Sequence, residues 1–391
     1  KEIPRYQSLK DLGQCHDEVI REMNKPVEMT LFACNKEHEV DTMMSPIDSI
    51  KYMKMMLQAG FMAMDPFTGE VKAWVGGINH TYFQYDHVNI NTKRQVGSTI
   101  KPLLYCLAVD NGYSPCGIVS TAPQSFPTIA NYDAGGSEKG PMTMKQALAG
   151  SINNAALYLI KQVGINAFAD FIEKCGVESK IDKVPSLALG VPDISLFEML
   201  HAYTMFPTGG TNVEPMFISK IEDKDGNVLK TFVPAQKELI NQHTAYKMVS
   251  MMRGVADFGT AKRLRYRYKL EGEIGGKTGT TNNQADAWFI GYTPQILAGS
   301  WVGCDDRYLR FGNSNLGQGA AAALPIWAYF MQKVYADPSL GIRPDAKFVQ
   351  PENYNECDVM IDPQSAGSYY RGGTEDLESE QAPTIPDGEW E

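Results

Sequence analysis

The sequence predicts an α+β domain in which one central antiparallel sheet is flanked by helices, with a helical lobe on one side. Two observations carry this. The main strand-like stretches lie early, around residues 60–75, and late, after Gly275. The chain between 96 and 175 lacks strand alternation and reads as successive helices. Strands at both ends and helices in the middle require the sheet to be assembled from the two ends of the domain, leaving a cleft where sheet and lobe meet. With 391 residues, 43% of them apolar and 10% aromatic, there is enough material for a substantial core.

Taken in order, residues 1–54 hold a polar helical stretch from Ser8 to Met23 and short strand-like pieces. A helix opens at Pro46, where proline suits the first turn, and runs to about Gln58. The runs 60–65 and 70–75, separated by Pro66-Phe-Thr-Gly69, form a hairpin. Helical runs follow at 99–110, 143–149, 154–163, 165–175, 194–206 and 244–255. Asp225-Gly226 marks the tip of a second hairpin over 221–229. Strands return at 277–280, 284–292 and 296–303, and 320–335 is a last amphipathic helix. Beyond Pro338 the chain reads as irregular. We divide it into a first segment (1–54), which the resemblance below makes a connector, a main domain (55–337) and an acidic, flexible end (338–391).

Charge is unevenly placed. The net charge of −10 resides in residues 351–391, where eleven Asp and Glu face Arg371 alone; the remainder is neutral. Without a basic stripe, nucleic acid is excluded as a partner. No stretch reaches the roughly 18 apolar residues of a membrane span, and the opening at Lys1, without an initiator Met, points to a processed or excised portion of a longer chain. The seven cysteines (Cys15, Cys34, Cys106, Cys116, Cys175, Cys304 and Cys357) are scattered without a CxxC pair and read as buried or free thiols, with room for one bridge. The six histidines have no metal-ligating spacing, and no cofactor or metal is expected.

Three short motifs carry chemistry. Ser98-Thr-Ile-Lys101 places a lysine amine one helical turn from a serine hydroxyl, where it can act as general base once burial or a second cation lowers its pKa. About one SxxK is expected by chance in a chain of this composition, so the motif gains weight only from its companions. Ser151-Ile-Asn153 can cap the helix that follows, supply a proton relay (Ser151) and a substrate-gripping amide (Asn153), or do both. Lys277-Thr-Gly-Thr280 follows two glycines, which mark a bulge or the close approach of a ligand. Its strand edge could offer a backbone N–H which, with that of Ser98, makes an oxyanion hole. The hydroxyls of Thr278 and Thr280, with the charge of Lys277, suit a carboxylate.

Together and in this order, the three motifs resemble the penicillin-binding-protein and serine β-lactamase-like fold, and specifically the transpeptidase domain of class A penicillin-binding proteins. Arg94 through Pro102, Lys277 through Pro294, Met62-Ala-Met-Asp-Pro and Leu189-Gly190 extend the likeness over residues 40–335. The resemblance implies Ser98 as acylated nucleophile, Lys101 as base and Ser151 as relay. It further implies Asn153, Lys277, Thr278 and Thr280 as substrate contacts, and the N–H groups of Ser98 and Thr280 as oxyanion donors. Its implied substrates are peptidoglycan stem peptides ending in D-Ala-D-Ala, with an amine acceptor, and β-lactams as inhibitors. The family also implies an N-terminal membrane anchor, a glycosyltransferase domain joined through residues 1–54, a periplasmic location, and cell-wall synthesis proteins as partners.

Related readings differ in the fate of the acyl group. A class A β-lactamase uses an ExxLN segment to activate water; Glu238-Leu-Ile-Asn241 has its leucine one place early and falls just before Lys277, where a surface helix start is expected. A D,D-carboxypeptidase would use the same residues with water as acceptor. A penicillin-sensing or scaffold domain would acylate and stop, or not react.

Overall fold

Five strands, Gly275–Thr280, Asp286–Tyr292, Leu297–Gly303, Gln58–Met64 and Val71–Val75, lie side by side in that order, each pair antiparallel. The early hairpin thus docks on the last strand, and both ends of the domain meet in one sheet as the sequence predicts. This computed structural model describes residues 4–126, 129–132 and 139–358. The strands Asp286–Tyr292 and Leu297–Gly303 are buried along their whole length, because helices cover both sheet faces. On one face the helix Leu324–Ala336 sends Trp327 Nε1 to Gly291 O at 3.1 Å and sets its ring edge-on to Phe289. On the other, the helix Leu196–Tyr203 packs on Gly299 so closely that a β-carbon there would lie 2.7 Å from Leu196 Cδ1.

The helical lobe is built around Lys101–Asp110, a helix buried from Lys101 to Val109 and apolar on every side, as a central core helix must be. Met144–Ala149, Asn153–Val163, Ile165–Lys174 and Gln242–Asp257 surround it. The first part of the chain has a small core of its own, in which Tyr6, Val19 and Met23 pack with Ile47 and Ile50.

Several boundaries differ from the sequence reading for local reasons. The stretch 8–23 is two helices, Pro4–Asp11 and His16–Met23, broken at Gly13 (φ 86°). The helix opened by Pro46, and capped by Ser45 Oγ on Asp48 N (3.1 Å), stops at Lys54, and Gln58 begins the sheet strand. The last helix is divided into Gly319–Ala322 and Leu324–Ala336, restarting around Pro325. Two small pairs, Ile118–Val119 with Met142–Thr143 and Gln124–Phe126 with Ile129–Tyr132, are too short for alternation to show in the sequence.

The main correction concerns 338–358, which the sequence reading assigned to the flexible end. These residues are laced across the domain. Phe348 is buried against Tyr292, and its N–H donates to Glu273 Oε2 at 2.9 Å. Tyr354 meets Tyr246 edge-on at 4.6 Å, and Glu356 accepts from Lys145 Nζ (2.7 Å) and Ser250 Oγ (2.6 Å). Cys357 then forms a disulfide with Cys116, across 241 residues of sequence. Net negative charge hid the apolar and cysteine anchors of this strap. The acidic stretch beyond Asp358 lies outside the described residues.

A cross-link closing so long a loop stabilises chiefly by restricting the unfolded chain, by about 2–5 kcal/mol. Replacing Cys116 and Cys357 together by Ser should lower the melting temperature by several degrees in non-reducing calorimetry. An unchanged transition would show that the strap is held by its other contacts alone.

Candidate active site

The cleft anticipated between sheet and lobe is present, with a volume of about 260 Å³ and walls that include Ser98, Asn153, Gly190 and Thr280. Each comes from a different element. Ser98 sits in the 3-10 turn Gly97–Ile100 that leads into the buried helix Lys101–Asp110, Asn153 starts the helix Asn153–Val163, and Thr280 ends the edge strand Gly275–Thr280.

Two contacts set the cleft's narrow floor. Gly97 has φ +52°, and a β-carbon on it would come within 2.7 Å of Thr280 O; a β-carbon on Gly190 (φ +80°) would lie 1.8 Å from Gly97 O. Only glycine permits this stacking of three backbones. The Thr281 N–H donates to Asp286 O at 3.1 Å, so strand alternation turns the Thr280 N–H to the open edge, toward the turn that carries Ser98.

Beside Ser98 lies a buried polar network. Lys101 and Lys277 are both 0% exposed. Lys101 Nζ donates to Asn153 Oδ1 (2.6 Å), Ser151 O (2.8 Å) and, more weakly, Ser151 Oγ (3.4 Å). Lys277 Nζ donates to the same Ser151 Oγ at 2.9 Å and to Thr278 O at 2.9 Å. One hydroxyl thus joins two lysines. Burial drives the Lys277 ammonium down to about 7. Burial, reinforced by the charge of Lys277, holds Lys101 well below its ordinary value.

Ser98, Asn153 and Thr280 line the cleft, whereas Lys101, Ser151 and Lys277 form the network beside it. Among the described residues Ser98 Oγ makes no hydrogen bond, and the Lys101 amine is held by Ser151 and Asn153. The capping reading of the second motif is not what forms: Ile152 occupies the N-cap position without a side-chain cap, and Ser151 adopts φ +56°. Thr278 and Thr280, expected to meet a carboxylate, are also engaged within the protein. Thr280 Oγ1 accepts from Gly319 N (3.0 Å), which leaves its own proton for a ligand, and Thr278 Oγ1 pairs with Thr260 Oγ1 at 2.7 Å.

Thr260 escaped the sequence reading. Its N–H donates to Ala149 O (3.0 Å), linking the edge strand to the turn that presents Ser151; a lone Gly259-Thr260 dipeptide gave no signal. Glu238 of the ExxLN-like segment is exposed on the short strand Gln236–Glu238 and does not line the cleft, while Asn241 caps the helix Gln242–Asp257 as expected.

A family model described as the penicillin binding protein transpeptidase domain matches residues 59–302, and one described as the penicillin-binding protein middle domain matches residues 1–57. Penicillin-binding protein 1A of Aquifex aeolicus is 34% identical over 319 residues, covering 78% of this chain and 42% of that protein. Penicillin-binding protein 2D of Bacillus subtilis is 32% identical over 380 residues, covering 90% and 52%. The chain therefore spans about half the length of the curated relatives it matches. The crystal structure of penicillin-binding protein 1A from Haemophilus influenzae superposes with a TM-score of 0.66 at 25% identity, covering 76% of this chain and 49% of that one. PonA1 of Mycobacterium tuberculosis in complex with penicillin V shares the fold, with a TM-score of 0.61 at 20% identity, covering 90% and 95%.

The two lysines should titrate as a coupled pair. Replacing Lys277 by Met removes a neighbouring positive charge, so the Lys101 amine should titrate at higher pH than in wild type. Side-chain NMR titration of labelled lysine would show the rise; an unchanged or lower value would mean that the two amines do not sense each other.

Proposed function

Because the chain belongs to the penicillin-binding protein transpeptidase family, we propose that its cleft performs D,D-transpeptidation through an acyl-enzyme on Ser98. The sharing of the Ser151 hydroxyl by two buried, pKa-depressed lysines is the observation that carries this reading. A neutral amine three residues along from an unbonded serine hydroxyl is what a serine nucleophile needs for activation.

Ser98 Oγ attacks the carbonyl carbon of the penultimate D-Ala of a stem peptide, and its proton passes to Lys101. Charge developing on the carbonyl oxygen is met by the N–H groups of Ser98 and Thr280, worth about 10²–10³ in rate for a single donor in comparable sites. The peptide bond then breaks. Ser151, in contact with both lysines, relays the proton to the departing D-Ala amine. Asn153 orients the Lys101 amine and contacts the peptide. The Thr280 hydroxyl, with Thr278 and the positive potential of Lys277 behind it, receives the terminal carboxylate. An amine from a second stem peptide attacks the ester, gives up its proton along the same path and releases Ser98 with the cross-link formed. A β-lactam mimics D-Ala-D-Ala and leaves the ester in place, because its leaving group remains tethered.

We place the domain on the periplasmic side of the inner membrane. In this reading residues 1–54 join it to a glycosyltransferase domain and an anchor in the whole protein, and stem peptides and cell-wall synthesis proteins are its partners.

Intact mass spectrometry after incubation with a fluorescent penicillin tests the proposal. Wild type should carry one persistent adduct and Ser98→Ala none, while Lys101→Met should acylate about 10²–10⁴-fold more slowly. Rapid loss of the adduct with hydrolysed antibiotic would indicate a β-lactamase, and an adduct on Ser98→Ala would remove Ser98 from the nucleophile's role.

A further inference from the structure

We propose that Asp286 is a positioning residue that sets the separation of the two oxyanion N–H donors by tying together the segments that carry them. The inference rests on the reading of Ser98 and Thr280 given above and extends it to a residue that touches neither substrate nor nucleophile.

Asp286 opens the strand beside the edge strand and is 1% exposed. Its Oδ1 accepts from Arg94 Nε at 2.7 Å and from Trp301 Nε1 at 3.0 Å. Arg94, itself 8% exposed, is four residues before Ser98. Its other nitrogens donate to Cys304 O (2.8 Å) and Asp305 O (3.1 Å), and its guanidinium lies over the Trp301 ring at 4.9 Å. The guanidinium is thus fixed on several sides. Gln95, next along, accepts from Trp288 Nε1 at 2.9 Å through its backbone carbonyl, so the nucleophile segment is fastened to the strand Asp286–Tyr292 at two successive residues.

The second arm reaches the other donor. Asp286 N donates to Thr281 Oγ1 at 2.9 Å, Thr281 Oγ1 approaches Asp286 Oδ2 at 3.4 Å, and Thr281 N donates to Asp286 O. Thr281 is the residue after Thr280. One buried residue therefore fixes both the approach to Ser98 and the end of the edge strand. A buried ion pair gives little net stability against an apolar substitute but is costly to break from one side. Its value here is geometric: a small error in donor placement costs rate without costing binding.

The expected signature separates this role from a structural one. In Asp286→Asn, the dissociation constant of the non-covalent penicillin complex should be little changed, while the acylation rate constant falls about 10- to 100-fold. The infrared ester carbonyl band of the acyl-enzyme should move to higher wavenumber as polarisation by the two N–H groups weakens. Thr281→Val, which breaks only the strand arm, and Arg94→Lys, which loosens only the nucleophile arm, should each shift the band in the same direction by less. They decide the matter if Asp286→Asn does not fold. Folded variants with a wild-type carbonyl band, whatever their rate or melting temperature, would overturn the inference. A wild type that forms no acyl-enzyme would instead overturn the functional reading on which it stands.

Discussion

Two lysine amines buried against one serine hydroxyl impose the condition that the rest of the domain is arranged to meet. A buried ammonium is costly without a paired charge, and among the described residues neither Lys101 nor Lys277 has a carboxylate partner; the acceptors there are neutral, namely Ser151 O, Ser151 Oγ, Asn153 Oδ1 and Thr278 O. The arrangement holds because the amines lose protons easily there, and that same property is what the proposed role of Lys101 as base draws on. Side chains from a core helix, an interhelical turn and a sheet edge must converge on a single oxygen. Any element that slides by an ångström breaks the network.

The surrounding packing reads as the means of preventing such sliding. The stacked backbones of Gly190, Gly97 and Thr280 leave no room for these segments to approach more closely. The Thr260 hydroxyl on Thr278, and its N–H on Ala149 O, link the edge strand to the Ser151 turn. Further out, Glu356 bridges Lys145, in the helix that ends two residues before Ser151, to Ser250 in the helix that leads to Thr260. The strap thereby braces from outside the two helices that lead to Ser151 and Thr260, and its disulfide holds the brace shut.

What was legible in the sequence follows the range of the forces involved. The hairpin at 60–75 and the late strands could be read because alternation and turn chemistry are local, and the order of strands and helices left few topologies. The three motifs could be read because a reactive serine needs a base at helical spacing. Thr260 and Asp286 could not, since a threonine or an aspartate has no distinctive neighbours in the chain; each acts across tens or hundreds of residues. That Lys277 and Thr278 are also tied within the protein, to Ser151 and Thr260, could not be read for the same reason. Strand geometry suggested a carboxylate cradle, but which oxygen a buried amine meets depends on the Ser151 turn, whose positive φ no pattern announces. The strap was missed because its anchors, Phe348, Glu356 and Cys357, are isolated within an acidic stretch.

The buried lysines also give the fold an unusual pH response. An amine whose folded pKa lies below its unfolded value binds more protons when the chain unfolds, so the native state gains stability as pH rises between the two values. For Lys277 that interval runs from about 7 up to its ordinary value near 10.5, and Lys101 acts with the same sign from a folded value also well below 10.5. Glu356 behaves differently. Burial raises its pKa, but hydrogen bonds from Lys145 and Ser250 outweigh that and hold it below 4.5, so its contribution is complete at neutral pH and fades only in acid. Glu356 is therefore still ionised near and just below pH 7, where Lys277 is protonated in both states and the native state is least stable on its account. A brace that titrates far below the groups it supports holds their geometry while they exchange protons, which is the condition the lysine-based relay proposed above requires.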